Sequence, residues 1–303
     1  TLVPGENVFR AVAANAEGTE SRPSEIVITY RPKAAAIVAG QSAPQPSGLQ
    51  LHLLIVGVNV YKNPKYNLNY AVADATAVKE KIEAQTRSIF TGVNVKFILD
   101  DHAVKTPIAG AFQELSAAAG PRDVFVFYYA GHGVMTSDEK PEFFLVPHDV
   151  TQLYGADDAL RQKGLSSSEL MEFAKAMPAQ KQLFILDACQ SAGALTTVAM
   201  RGAAEEKAIA QLARSTGTHW LTASGSEQFA TEFATLGHGA FTYALLEGLT
   251  GRADTGDGRV TVNELKAFLE SEVPEITQKH KGTPQFPSSY GFGNDFPVAV
   301  IAK

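Results

Sequence analysis

Two stretches of this chain are apolar at consecutive positions, and they limit its fold more than any other feature. Val124-Phe125-Val126-Phe127-Tyr128-Tyr129 and Leu183-Phe184-Ile185-Leu186 are short and lack the polar alternation of a strand with one wet face. Strands that read this way are buried on both sides, as in a mainly parallel sheet covered by helices. Each run ends abruptly in small and polar residues, Ala130-Gly131-His132-Gly133 after the first and Asp187-Ala188-Cys189-Gln190-Ser191-Ala192-Gly193 after the second. In an open α/β sheet, ligands and chemistry gather at the carboxyl ends of strands.

Cys189 is the only cysteine in the sequence. A lone cysteine is often a small core residue, but Asp187, Gln190 and Ser191 are poor neighbours for a dry core. A thiol at a strand end, followed by small residues that leave backbone N–H groups accessible, has the makings of a nucleophile. A nucleophilic thiol needs a base, and His132 occupies the matching place after the other strand. The glycines on both sides of His132 let the backbone turn sharply and approach a ligand, and the Gly133 N–H is available to a developing oxyanion.

The Tyr129-Ala130-Gly131-His132-Gly133 and Asp187-to-Gly193 segments resemble the paired histidine and cysteine motifs of the caspase-like cysteine peptidases. Caspases carry Gln-Ala-Cys-(Arg, Gln or Gly)-Gly with a histidine about 50 residues upstream; here the two residues are 57 apart. The likeness is greater to the bacterial metacaspase and paracaspase-like branch, the orthocaspases, than to animal caspases. It implies a caspase-like three-layer α/β sandwich over residues 51–303, with a large-subunit-like part 51–193, a linker 194–217 and a small-subunit-like part 218–303. It also implies a Cys189–His132 dyad, with the Gly133 and Cys189 N–H groups holding the oxyanion.

The remaining sequence fits that frame. Strands are expected at 51–58, 93–99, 143–146, 220–224 and 296–301, and helices at 69–84, 106–118, 166–177, 241–249 and 262–273, an alternation that builds strand–helix–strand units. Residues 1–33 alternate like two strands around Asn15-Ala16-Glu17-Gly18 and look like the last hairpin of an immunoglobulin or fibronectin-like sandwich, or a docked pro-segment. Residues 34–50, with Pro44, Pro46, Ser42 and Ser47, read as a linker. The chain begins at Thr1, so it is expected to be cut from a longer protein. A formal charge of −6 and the lack of a basic run argue against nucleic acid as partner, and no apolar stretch is long enough for a membrane span. The single cysteine excludes an internal disulfide and suits a reducing, cytoplasmic setting.

Substrate preference follows from acids. Asp187 stands where animal caspases carry Gln, and Asp74 matches the position of a second pocket carboxylate in metacaspases and paracaspases. Two carboxylates repel an acidic side chain and pair with a guanidinium, so cleavage of protein or peptide substrates after Arg, or after Lys, is expected. Such an enzyme has candidate self-cleavage sites at Arg201, Lys207 and Arg214, in a region that the family cuts on activation. His238, between Gly237 and Gly239, is a weaker second candidate for the base. No cofactor or metal is expected. Asp254 to Glu264 imitates a calcium loop but is one residue short and reads as a helix-entry turn, and Ser166-Ser167-Ser168 replaces the paired acids of the calcium site in metacaspases, although Asp149, Asp157 and Asp158 lie nearby. Calcium is therefore the weaker alternative, and a monomer is the expected state. The rival readings are a caspase-fold scaffold without catalysis and a gingipain- or legumain-type hydrolase.

Overall fold

The structure, a computed structural model, describes residues 5–11, 24–30, 48–137, 141–190, 207–214, 216–223, 232–233 and 237–301. It divides into two units, Thr1–Gln45 and Pro46–Lys303. In the first, β1 (Gly5–Ala11) and β2 (Ser24–Tyr30) pair antiparallel from Gly5↔Tyr30 to Ala11↔Ser24. The expected turn at Asn15–Gly18 lies outside the described residues.

The second unit is built on an eight-stranded sheet. Its parallel core runs through β3 (Gln50–Gly57), β4 (Gly92–Leu99), β5 (Val124–Met135), β8 (Lys181–Gln190) and β9 (His219–Thr222). Two short strands, β6 (Phe143–Leu145) and β7 (Leu165–Ser166), continue from β5 in antiparallel steps. β4 closes one end of the strand order, and β13 (Ser288–Gly291), antiparallel to β9, closes the other.

All twelve residues of β5 are buried. The reason is visible in where alternate side chains go, since a strand sends successive residues to opposite faces. Phe125, Phe127 and Tyr129 join a core with Phe112 and Leu115 of α2 (Lys105–Ala118) and Leu170 of α4 (Ser167–Ala176). Val124, Val126 and Tyr128 join a core with Val78 and Ile82 of α1 (Ala71–Thr86), Leu245 of α6 (Ala240–Glu247) and Leu265 of α7 (Val262–Lys281). The result is the expected three-layer sandwich, helices on both faces of a mainly parallel sheet. A short helix α3 (Asp157–Lys163) precedes β7.

Two helices differ from expectation. Residues 207–214 form a helix, α5, where a linker to 217 was expected, because Ile209, Leu212 and Ala213 supply a 3–4 spaced apolar face to the core. α7 runs through Pro274 to Lys281 rather than stopping at Val273. Its last turns are anchored by Ile276 at the core edge and by Thr277, whose hydroxyl donates to the Val273 carbonyl and accepts the Gln285 N–H. Tertiary packing thus outweighs the proline. The last apolar run forms the expected strand: β14 (Pro297–Val300) pairs with β12 (Arg259–Thr261) in a separate two-stranded sheet.

At the amino ends of the central strands, His52 and Asp123 are buried together, with His52 Nε2 3.3 Å from Asp123 Oδ2. Asp123 also accepts the Gln50 and Gly120 N–H groups, at 3.0 and 2.7 Å. His52 Nδ1 is buried without a partner, so the ring's hydrogen sits on Nε2 and is donated to the carboxylate. Replacing Asp123 by Ala orphans three donors, the buried His52 ring and the partly buried Gln50 and Gly120 N–H groups. It is expected to cost about 3 kcal/mol, which for a domain of this size lowers Tm by roughly 6–12 °C, measurable by thermal circular dichroism.

Candidate active site

The β5 and β8 ladder sets His132 and Cys189 opposite each other. They are register partners, as are Ala130 and Asp187 one step before and Gly133 and Gln190 one step after. Neighbouring strands lie about 5 Å apart, so residues 57 apart in the chain become adjacent in the sheet.

His132 is held from several directions. Its backbone N–H donates to the Tyr61 hydroxyl at 2.8 Å, its carbonyl accepts from the Val146 N–H, and the Tyr129 hydroxyl donates to the Val146 carbonyl at 2.7 Å beside it. The imidazole Nε2 lies 2.7 Å from the Tyr66 carbonyl. A carbonyl can only accept, so Nε2 carries a hydrogen, and in the neutral ring the lone pair is on Nδ1. The Tyr61 and Tyr66 rings pack against the imidazole at centroid distances of 4.9 and 6.3 Å. Burial pushes the Tyr61 and Tyr129 hydroxyls far above the ordinary phenol range, so both stay neutral hydrogen-bonding groups. Gly131 is required here: a Cβ on it would lie 2.7 Å from the Tyr129 hydroxyl and 2.9 Å from that of Tyr61.

The segment carrying Tyr61 and Tyr66 is polar, and side chains give it shape. Asn67 Oδ1 accepts the Tyr61 N–H, Asn59 Oδ1 accepts the Val72 N–H, and Asn63 caps the turn at Pro64–Tyr66 through the Lys65 N–H. Asp100 Oδ1 accepts the N–H groups of both Asn59 and Val60. Asp100 does so from a left-handed backbone, φ 45°, a conformation Asp tolerates better than most side chains.

A second group of residues forms beside this pair. Asp74 on the first turn of α1 and Asp187 on β8 are both buried, and each has a carboxylate oxygen 3.2 Å from where a Cβ on Gly239 would sit. Gly239 belongs to β11 (His238–Gly239), which pairs with β10 (Glu232–Phe233). Asp74 Oδ1 meets His238 Nδ1 at 2.6 Å, and Asp74 Oδ2 accepts the Gly239 N–H at 3.2 Å. Asp187 Oδ2 accepts the Thr242 hydroxyl at 2.6 Å; Thr242, its hydrogen thus committed, accepts the Tyr128 hydroxyl at 2.7 Å. Burial, and then the negative charges of Asp187 and Asp74, push the Tyr128 phenol upward, which keeps it a donor in this relay.

The sequence matches the caspase domain over residues 51–291. The chain belongs to the caspase-domain family. It is therefore a caspase-like peptidase, and its substrates are proteins. Among curated proteins none matches. A crystal structure of a Geobacter sulfurreducens protein, a structural genomics target, is similar in fold, with a TM-score of 0.57 and 17% identity over 84% of this chain and 100% of that one.

Within the caspase domain the remaining candidates are distributed as follows. Gly133 has Leu145 of β6 as register partner on one side and Gln190 of β8 on the other, and a Cβ on it would strike the Phe143 ring at 2.8 Å. Of the self-cleavage candidates, Arg201 lies outside the described residues. Lys207 begins α5 as an exposed residue, and Arg214, on the same helix, lies over the Phe292 ring at 5.2 Å. His238, weighed as a second base, has its Nδ1 2.6 Å from Asp74 Oδ1. The calcium-like loop makes the bonds of a helix entry: Asp254 accepts the Gly256, Asp257 and Gly258 N–H groups, and Thr261 and Glu264 form a capping box. Asp254, Asp257 and Glu264 have carboxylate oxygens within 4.8 Å of one another. Asp149 pairs with Lys163, and Asp157 accepts from Ser137. No described helix is long and apolar enough to cross a membrane.

The Tyr66 carbonyl, Tyr61, Tyr128 and Thr242 were not found from sequence. The carbonyl leaves no mark in a sequence, and the three side chains read as ordinary core or helix residues until the sheet brings them to the site.

Proposed function

We propose that this caspase domain is a cysteine endopeptidase that cleaves after Arg, and less well after Lys, with Cys189 as nucleophile and His132 as base. The observation that carries the specificity is the convergence of the buried Asp74 and Asp187 carboxylates on one glycine, Gly239. A pocket with two acids favours the planar guanidinium fork, accepts the ammonium more weakly, and repels Asp and Glu.

The steps follow from the hydrogen-bonding pattern. With the Nε2 hydrogen committed to the Tyr66 carbonyl, His132 Nδ1 takes the proton of the Cys189 thiol. The sulfur attacks the carbonyl carbon of the scissile bond, and the oxyanion is held by the Gly133 and Cys189 N–H groups. As the C–N bond breaks, His132 returns the proton to the departing amine. Water then adds to the thioester, giving its proton to His132, and the carboxylic acid leaves as the thiol is restored. A protease cleft takes extended backbone, and Lys207 and Arg214 are both helical, so self-processing after either requires that helix to open.

A panel of fluorogenic peptides differing only in Arg, Lys, Asp or Asn before the scissile bond tests the reading. Turnover is expected for Arg above Lys, with none for Asp. Asn turnover would point to a legumain-type hydrolase, and no turnover of any member would favour a scaffold.

A further inference from the structure

The bond between His238 and Asp74 has a consequence for how the pocket receives its cation. Asp74 is gripped from β11 at both oxygens, one by the Gly239 N–H and one by the titratable His238 ring. The same ring lines an open groove of about 490 Å³ between α1 and α6, with Glu80, Lys81, Tyr243 and Glu247. A carboxylate only accepts, so Nδ1 carries a hydrogen in this contact, whether the ring is neutral or charged.

Charge decides what that contact does. Asp74 and Asp187 approach each other across Gly239 with little water around them, so an empty pocket gains from any nearby cation. Imidazolium at His238 is one such cation and an incoming guanidinium is another. They draw on the same carboxylate and repel each other in a poorly screened setting. Asp74 of α1 contacts the ring, Glu80 and Lys81 of α1 and Tyr243 and Glu247 of α6 line the groove with it, and Asp187 of β8 lies near the adjoining Gly239.

We propose that His238 is a specificity-determining residue that exchanges its charge with the substrate: its imidazolium neutralises Asp74 in the empty pocket, and a bound guanidinium replaces it. The proton released leaves Nε2 for solvent, while Nδ1–H stays on Asp74 and keeps the carboxylate oriented. This inference rests on the two-acid pocket proposed above. A basic side chain thus binds by displacing an internal counterion, whereas a neutral one leaves the His238–Asp74 ion pair intact and gains nothing from either acid.

The test uses Cys189→Ala protein, which cannot turn over, and benzamidine as a guanidinium-like probe, with binding followed by calorimetry from pH 5.5 to 7.5 in two buffers of different ionisation enthalpy. Affinity is expected to rise about tenfold or more over that range, one-proton linkage allowing at most tenfold per pH unit, with a proton released on binding at the acid end. Adding His238→Asn, which keeps an N–H donor near the Nδ1 position but cannot titrate, is expected to flatten the profile to within about threefold and abolish the proton release. An orienting role alone would instead leave the pH slope in place and show as a uniform loss in His238→Ala. The proposal is overturned if the slope survives His238→Asn, or if the protein with His238 intact releases no proton. Benzamidine binding that is lost in Asp187→Asn while the slope survives His238→Asn sinks the role of His238 and leaves the pocket standing. Absence of benzamidine binding at every pH, or binding indifferent to Asp187→Asn, removes the pocket itself and this inference with it.

Discussion

Replacing Cys189 by Ala is expected to lower kcat/KM for an Arg-terminated fluorogenic peptide by about 10⁴-fold or more, and His132→Ala by a similar factor. Residues acting as a unit are not additive, so the double variant should be little worse than either single one. That near-equality matters more than the size of the loss, because two residues that merely supported the sheet would multiply their effects. Single-turnover kinetics with an ester substrate adds a separate check. His132→Gln should slow acylation, and the residual rate should lose the pH dependence of the parent, since the group that carries the proton is gone. If the double variant falls far below both singles, or if Cys189→Ala retains turnover, the dyad assignment is wrong.

Asp187→Asn should produce the second largest effect, and on a different parameter. Removing one partner of a buried charge pair costs 2–5 kcal/mol or more, so kcat/KM for the Arg peptide should fall by about 30-fold or more, mainly through KM. Asn keeps an acceptor for the Thr242 hydroxyl, so the Tyr128–Thr242 relay has no cause to collapse. A peptide with citrulline in place of Arg separates charge from shape. The parent enzyme should discriminate strongly against citrulline, and Asp187→Asn should discriminate much less, with Asp74→Asn following the same trend. If Asp187→Asn costs the Arg and citrulline peptides equally, the carboxylate serves folding and not recognition.

How much of this could be read in advance depended on what each residue owed to its neighbours in sequence. The two central strands were legible because burial on both faces forces an unbroken apolar run, as in Val124 to Tyr129 and Leu183 to Leu186. The apolar runs stop just before the ladder delivers His132 and Cys189, but the strands themselves do not: β5 continues to Met135 and β8 to Gln190. Ser288-Ser289-Tyr290-Gly291 was not legible as a strand, since an edge strand with one neighbour and partial exposure carries no apolar signature. Phe296 to Ile301 did carry one and forms a strand, although its ladder is with β12 and its apolar residues serve the α7 side of the core. α5 had the right spacing in Ile209, Leu212 and Ala213, but its helical signal was overruled by the expectation of an uninterrupted linker. The site shows the same division. Chemistry-bearing residues just past the apolar runs could be picked out from residue type and place, whereas the Tyr66 carbonyl and the grip of His238 on Asp74 exist only through long-range contacts.

The pairing of β8 with β9 bears on what a chain break would do. The two strands lie side by side from Leu183↔His219 to Leu186↔Thr222, and α5, between them in sequence, is itself sunk into the core through Leu212. The segment 191–206 is thus bracketed on both sides by elements locked into one sheet and its cover. Scission there would separate the covalent halves without parting them, and the fragments would go on behaving as a single body, held by the same backbone rungs and apolar contacts that held the intact chain.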